Sequence, residues 1–278
     1  GGNRVARYTA LGILDTTFGT SGSTTNANMN PAYAVALQPD GKIVTLGRDN
    51  DAYRVARFTA AGTLDAEWGI EGLNNQGDYG RGLVVRDDGD ILLTGKTYYY
   101  SGGTKDGFGV VRISSTGTVE QDVAYDLGTG DFVNSSLALP DGKLLLVGIS
   151  NGDLTISRHS FSGAIDTSFG TAGSVKIPVL NSTDEGFRAT IAADGKILVT
   201  GFSNNGVDQD LVVVRLSYDG VLDTSFGVGG KTSISLGSND YGYAIASLAD
   251  GKILVAGRSN NDIALVRLLG DSDQSAAG

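Results

Sequence analysis

The chain has 278 residues, no cysteine, one histidine and a formal net charge of −10. The lack of cysteine excludes disulfides and thiolate metal sites. An acidic chain also lacks the cationic surface needed to bind nucleic acid or an anionic membrane. With 42 glycines, 4 prolines and many β-branched residues, the composition is typical of short strands joined by tight turns. No apolar run is long enough to span a bilayer as a helix.

In chain order, residues 4–27 contain a Val-x-Arg strand and a weaker strand, and five repeats follow. Each repeat has an Asp-Gly pair, an apolar run and a closing glycine, as in PDGKIVTLG and ADGKILVAG. The Asp residues lie about 52 positions apart on average, at Asp40, Asp88, Asp141, Asp194 and Asp250. A fixed period of this length indicates a repeat architecture.

Each repeat predicts four antiparallel strands. An alternating segment such as YAVALQ (33–38) forms the first strand, and the Asp-Gly pair turns it into the apolar second strand, because both turn residues tolerate positive φ. A variable polar loop leads to the third, Val-x-Arg strand. A weaker fourth strand, such as GSVKIPV (173–179), follows a Leu-Asp-x-x-Phe-Gly turn. Four such strands in about 50 residues predict an all-β fold, a β-propeller of four-stranded antiparallel blades. A solenoid is the alternative architecture.

The segments LDTSFG, AVALQPDGKIVTLG and VVVRLSYDG resemble the bacterial delta-60 repeat family of WD40-like propellers, and the resemblance extends from about Arg4 to Leu269. The third copy of the Leu-Asp-x-x-Phe-Gly turn departs from it at VEQDVA, where Glu120 replaces the usual Asp. The resemblance implies a secreted or cell-surface bacterial protein, often a large modular one, with no established activity.

We predict one propeller domain over residues 1–269, with five blades closed by the N-terminal segment, and a polar tail over residues 270–278. Six blades, or part of a longer propeller, are the alternatives. One Val-x-Arg strand is left over in the five-blade arrangement, since the chain has six of them.

Residues that recur in every repeat are interpreted as scaffold. The Val-x-Arg arginines should be held by the Asp of the Leu-Asp-x-x-Phe-Gly turn, and the glycines that end the second strands should be required by the backbone. His159 stands where other repeats have apolar residues or Tyr8, which predicts a packing role. The arginines are Arg7, Arg57, Arg112, Arg158, Arg215 and Arg267, the aspartates are Asp15, Asp65, Asp166 and Asp223, and the glycines are Gly47, Gly95, Gly148, Gly201 and Gly257.

The antiparallel order places the loop that enters each first strand and the loop between strands two and three at one end of the blade. These loops supply acids and aromatics that suit a ligand, and the second repeat adds an insertion with three tyrosines. The candidate ligand-binding residues are Asp78, Asp131, Asp184, Asp240, Tyr33, Arg81, Tyr98, Tyr99, Tyr100 and Tyr243. Hard carboxylate oxygens suit Ca²⁺, so Asp131, Asp184 and Asp240 are also the candidate calcium ligands.

Three functions remain open at this stage. The first is a non-catalytic secreted or cell-surface module that binds a glycan, a peptide or a surface polymer, as part of a larger surface protein or assembly. The second is a glycoside-acting enzyme with paired carboxylates at the channel mouth. The third is a structural spacer without a ligand. Because the candidate acids are quasi-equivalent, they lack the split environments that an acid and a nucleophile need.

Overall fold

The computed structural model describes residues 3–26, 29, 31–49, 52–68, 79–99, 105–180 and 182–269. Within them, the chain is all-β, with one short 3-10 helix at Ala66–Trp68, and its strands form six antiparallel sheets. The chain divides into an N-terminal unit, residues 1–126, and a C-terminal unit, residues 127–278. No helix of the described residues is long and apolar enough to cross a membrane.

The N-terminal unit contains three sheets, of two, three and four strands. They consist of β1 (Asn3–Ala6) and β2 (Ser23–Asn26); β3 (Ala32–Leu37), β4 (Ile43–Asp49) and β5 (Ala52–Phe58); and β6 (Tyr79–Val85), β7 (Ile91–Tyr99), β8 (Lys105–Ile113) and β9 (Val119–Tyr125).

The C-terminal unit also contains three sheets, of four, four and three strands. They consist of β10 (Phe132–Ala138), β11 (Leu144–Ser150), β12 (Asp153–His159) and β13 (Ser174–Ile177); β14 (Asp184–Ile191), β15 (Ile197–Asn204), β16 (Gln209–Leu216) and β17 (Lys231–Ile234); and β18 (Asp240–Ser247), β19 (Ile253–Ser259) and β20 (Asp262–Leu268).

The repeat predicts the strand order correctly. In three repeats the four strands pair consecutively, and in every repeat the Asp-Gly segment joins two antiparallel strands. In the two four-stranded sheets of the C-terminal unit the second and third strands form the cores, because β11, β12, β15 and β16 are buried almost throughout. In the last sheet β19 is partly buried and β20 is largely exposed. Residues 69–78, where the fourth strand of the first repeat is expected, lie outside the described residues.

The Asp-Gly hairpin differs in detail from the expected two-residue turn. The N–H of Gly142 donates to Leu139 O at 3.0 Å, and the N–H of Leu139 donates to Lys143 O at 2.8 Å, so the loop is longer. Only the glycine has positive φ, 80° at Gly142. The Asp141 carboxylate instead accepts the N–H of Lys143 at 3.1 Å, the local bond that makes Asp a turn residue.

The blade count and closure of the ring stay predictions. The six Val-x-Arg segments belong to six separate sheets, and no closed sheet is found among the described residues. β1 and β2 pair with each other. The last sheet has only three strands among the described residues, β18, β19 and β20. The polar tail that follows lies outside the described part of the chain.

Candidate functional site

The repeated arginines form the scaffold that the sequence predicts. In the C-terminal unit, Arg158 is 2% exposed, and its Nε donates to Asp166 Oδ2 at 2.8 Å. Its Nη1 donates to Tyr218 O of the following sheet at 2.7 Å, and its Cζ lies 4.9 Å from the Phe169 ring centre. Hydrogen bonds from Ser168 and Lys143 hold the pKa of Asp166 well below its usual range. The same Arg–Asp pair occurs as Arg7–Asp15, Arg57–Asp65 and Arg215–Asp223.

The second repeat keeps the arginine and changes the partner. Arg112 contacts Asp90 at 2.8 Å and Glu120 at 3.1 Å. Glu120, which is longer than the aspartate it replaces, therefore still pairs with the arginine. The repeated ion pairs stabilise the sheets. Candidate functional residues are therefore those that differ between repeats.

His159 is a core histidine, as predicted. It is fully buried, and its ring nitrogens lie 2.9 Å from Ser157 Oγ and 3.2 Å from Gly163 O. Burial disfavours the charged ring and lowers the pKa of His159 to about 4. Its repeat equivalent in the next sheet is Leu216, and that of Ser157 is Val214.

We expect His159 to make stability pH-dependent. Because the native pKa lies below the unfolded value near 6.5, the unfolded state binds more protons between these two values. Stability is therefore complete above about pH 6.5 and falls as the pH drops towards 4, by about 2 kcal/mol at pH 5. Denaturant unfolding at pH 7 and pH 5 should show this loss in the wild type and not in the double variant Ser157→Val/His159→Leu. An equal loss in both proteins would refute it.

The two kinds of polar loop lie at one end of each sheet in the C-terminal unit. The backbone N–H groups of Asn151, Asn204 and Asn260 each donate to a carbonyl of the loop that enters the first strand, at 2.8, 2.8 and 3.0 Å. We call this the loop end, and the opposite one, which carries the Asp-Gly turns, the turn end.

Each first strand has a β-bulge at the same repeat position, where the register against the second strand shifts by one residue. A bulge re-aims a side chain, and bulges are over-represented beside binding and active sites. The extra residues vary in chemistry between repeats, and they are Tyr33, Arg81, Asn134, Phe187 and Tyr243 in chain order. Three of these five, Tyr33, Arg81 and Tyr243, are candidates from the sequence.

The repeated glycine of the second strand permits this bulge, and it lies inside the strand and not at its end, where the sequence placed it. A Cβ at Gly148, Gly201 or Gly257 would lie 1.8 Å from a carbonyl oxygen of the first strand, which no side chain tolerates. The repeated glycine is therefore required by close backbone approach, as the sequence indicated.

In the N-terminal unit, two predicted residues contact each other through their bulges. The Arg81 guanidinium carbon lies 4.4 Å from the ring centre of Tyr33. Tyr33 lies on β3 and Arg81 on β6, so consecutive first strands place a cation over an aromatic face.

In the C-terminal unit, the bulges build a cluster of four rings, which we call the aromatic platform. Ring centres lie 5.2 Å apart for Phe187 and Tyr243, 5.7 Å for Phe187 and Phe202, and 5.3 Å for Phe202 and Tyr241. The Tyr241 and Tyr243 rings are 5.9 Å apart and nearly parallel, at 2°. Tyr243 is 45% exposed. Its ring is therefore the member of the platform that solvent and ligands can reach most easily.

Polar groups surround the platform. Tyr241 donates its hydroxyl to Gln209 Oε1 at 3.2 Å, and the Arg258 guanidinium lies 4.9 Å from the Tyr241 ring centre. Beside Phe187, Asn134 donates to Glu185 Oε1 at 2.7 Å and to Gly186 O at 2.9 Å. Tyr243 is among the candidates that the sequence predicts. Phe202, Gln209 and Arg258 are not, because they lie on neighbouring strands and not in the entering loops.

The three described candidate acids lie beneath the loop backbone. Asp131, Asp184 and Asp240 are 0%, 1% and 0% exposed. Each accepts a backbone N–H from the preceding connection, Leu127 to Asp131 at 2.7 Å, Val179 to Asp184 at 2.8 Å and Leu236 to Asp240 at 2.6 Å. Ser203 also donates to Asp184. The carboxylates therefore fasten the entering loops to the first strands.

The remaining candidates lie at the edge of the described part of the chain or outside it. Asp78 and Tyr100 are outside the described residues. Tyr98 and Tyr99 extend β7 and pair in register with Asp106 and Lys105. Within the described residues, no three His, Cys, Asp or Glu side chains come together in a group that could hold a metal ion. The assignment of Asp131, Asp184 and Asp240 as calcium ligands stays a prediction.

Comparisons with known proteins agree with this fold. Residues 38–67, 192–226 and 248–273 match the family model described as Domain of unknown function (DUF5122) beta-propeller. No curated protein matches the chain. The family match supports a β-propeller family, and the delta-60 name stays a resemblance.

Solved structures show the same architecture at low identity. The chain is similar to a protein of unknown function from Dyadobacter fermentans DSM 18053, with TM-score 0.53 and 12% identity over 99% of this chain and 84% of that one. It is also similar to a protein from Lactobacillus plantarum, with TM-score 0.57 and 16% identity over 96% and 78% of the chains. Kuenenia stuttgartiensis hydrazine synthase gives TM-score 0.52 and 14% identity over 88% and 38%. At these identities the likeness shows the fold alone.

Proposed function

We propose that the protein is a non-catalytic propeller module of a secreted or cell-surface bacterial protein and that it binds a glycan at the aromatic platform. The four-ring cluster with its exposed Tyr243 is the observation that carries the proposal. Location outside the cell rests on the resemblance to delta-60 proteins.

The chemistry of the platform suits a sugar ring. Sugars present an apolar face of C–H groups and a rim of hydroxyls, so they need an aromatic surface with hydrogen-bonding groups at its edge. Tyr243 and Tyr241 supply the surface, and ligand sites of this kind carry only a few placed polar groups. Gln209, Glu185 and Arg258 supply acceptors and a donor beside the rings.

The rings are also preorganised. Tyr241 is held by Gln209 and by the Arg258 guanidinium, and Phe187 and Phe202 pack against the two tyrosines. A ligand that stacks on Tyr243 therefore orders few additional side chains, which reduces the entropy cost of binding.

The test is binding to an array of glycans and cell-wall polymers, in calcium and in EDTA, with reducing-sugar release measured in parallel. For the best glycan, calorimetry should give binding weakened about tenfold or more by Tyr243→Ala, since a stacking ring is lost. Tyr8→Ala, which removes a 60% exposed tyrosine outside the platform, should bind as the wild type does.

The outcomes separate the alternatives. Binding that persists in EDTA and is lost in Tyr243→Ala supports the proposal, because stacking on the rings requires no metal ion. Binding to a peptide or protein alone, equal loss in Tyr8→Ala, or sugar release would contradict it. No binding on any array would favour the structural spacer.

A further inference from the structure

A cleft of about 240 Å³ lies at the turn end of the C-terminal unit, between its last two sheets. It is separate from the aromatic platform, which lies toward the loop end of the same strands. Its lining includes Ala192, Asp194, Leu198, Arg215, Ser247 and Ile253. Arg215 is 5% exposed and is paired with Asp223 at 2.8 Å, so a buried cation forms part of the wall.

The corresponding space between the preceding two sheets is filled by side chains of the protein. Leu139 is 5% exposed there, and the Tyr218 ring centre lies 5.3 Å from the Arg158 guanidinium carbon. Burial, and then the neighbouring Asp141 carboxylate, raises the pKa of Tyr218 to about 12. The protein therefore already holds one phenol ring, that of Tyr218, between an arginine and an aspartate at this position of the repeat.

The repeat alignment explains why the later space is open. Asp194 and Arg215 correspond to Asp141 and Arg158. Ala192 corresponds to Leu139, and its smaller side chain leaves more space in the cleft. Gly270, which lies outside the described residues, stands at the Tyr218 position of the repeat.

We propose that this cleft binds a single phenolic ring, with its face toward Arg215 and its hydroxyl toward Asp194. A guanidinium attracts an aromatic face, and a carboxylate accepts the phenol O–H. The size is suitable, because an apolar cavity of about 150 Å³ already holds benzene. The preceding pair of sheets provides the template for the geometry, since Tyr218 occupies the equivalent place.

The experiment measures the thermal unfolding midpoint and the binding isotherm with phenol and, separately, with N-acetyl-tyrosinamide. Both probes should raise the midpoint in a concentration-dependent way, since a ligand that binds only the folded state stabilises it. Asp194→Ala, which removes the carboxylate that accepts the phenol O–H, should weaken phenol binding at least about tenfold. Cyclohexanol, which has no aromatic face, should bind more weakly than phenol.

The Tyr218→Gly variant is the matched control, because it removes the ring from the template. Phenol should raise the midpoint of this variant by more than it raises the wild type, since two spaces are then available. Binding of phenol but not of the tyrosine amide would assign the site to a small phenolic molecule, and binding of both would extend it to a tyrosine side chain. Stabilisation of Tyr218→Gly by phenol with no effect on the wild type, or undiminished binding to Asp194→Ala, would overturn the proposal.

Discussion

Arg158→Met should lower the free energy of unfolding by about 3–5 kcal/mol, the cost of removing one partner from a buried ion pair. Arg158 is 2% exposed and contacts Asp166, Ser168 and the Tyr218 carbonyl. Methionine retains the apolar stem but leaves the Tyr218 carbonyl and part of the Asp166 carboxylate without donors. Lys143 still contacts Asp166 at 2.9 Å, so some compensation remains.

The chain supplies its own control for this substitution. Arg7 makes the same bonds, to Asp15, to Thr17 and to the Ala60 carbonyl, but its side chain is 41% exposed. Exposed pairs contribute little because water solvates both charges. Guanidinium unfolding of Arg7→Met should therefore show only a small part of the loss seen for Arg158→Met. Similar losses would mean that burial does not determine the strength of the repeated pair.

The repeat predicts this scaffold well, because a residue that recurs at one position performs the same task in each sheet. Arg158 and Asp166 lie eight residues apart in sequence, and the same spacing returns for Arg215 and Asp223. The strand order, the Asp-Gly hairpins and the pairs all follow from that regularity. Internal repetition here replaces the comparison between homologues.

The site is less predictable, since it depends on contacts across strands. A bulge adds one residue to one strand, so the Phe187 position cannot be recognised from alternation alone. Sequence also cannot separate an exposed loop acid from a buried one. Asp184 follows a polar loop whose composition is typical of a ligand-binding loop. Its carboxylate nevertheless accepts the N–H of Val179, five residues earlier, at 2.8 Å.

The informative residues are those that break the repeat. Phe187 and Tyr243 stand at a position that holds Asn134 in the neighbouring sheet, and Ala192 stands where that sheet has Leu139. The first departure gives the aromatic platform, and the second gives the cleft at the turn end. Function in a repeat protein is therefore sought where one unit differs from the others, and stability where the units agree.

Gly201→Ala should test the link between the scaffold and the platform. A Cβ at Gly201 would lie 1.8 Å from Glu185 O and 3.0 Å from the Gly186 Cα, so the backbone of the first strand must move. We expect a loss of about 3 kcal/mol or more, at the upper end of what overpacking costs. The movement should also displace Phe187, the bulge residue next to Gly186. The near-UV circular dichroism of the rings and glycan binding should then change together.

The matched control lies in the same hairpin. Gly195 has φ of +82° and no atom within 4 Å of the added Cβ, so Gly195→Ala meets only the backbone preference, which costs about 1–2 kcal/mol. It should leave the near-UV spectrum and glycan binding unchanged. If Gly201→Ala were no more destabilising than Gly195→Ala, or if it kept the native spectrum, the glycine would not be what fixes the bulge. A larger loss with an altered spectrum would show that one repeated glycine sets the geometry from which the variable bulge residues build the site.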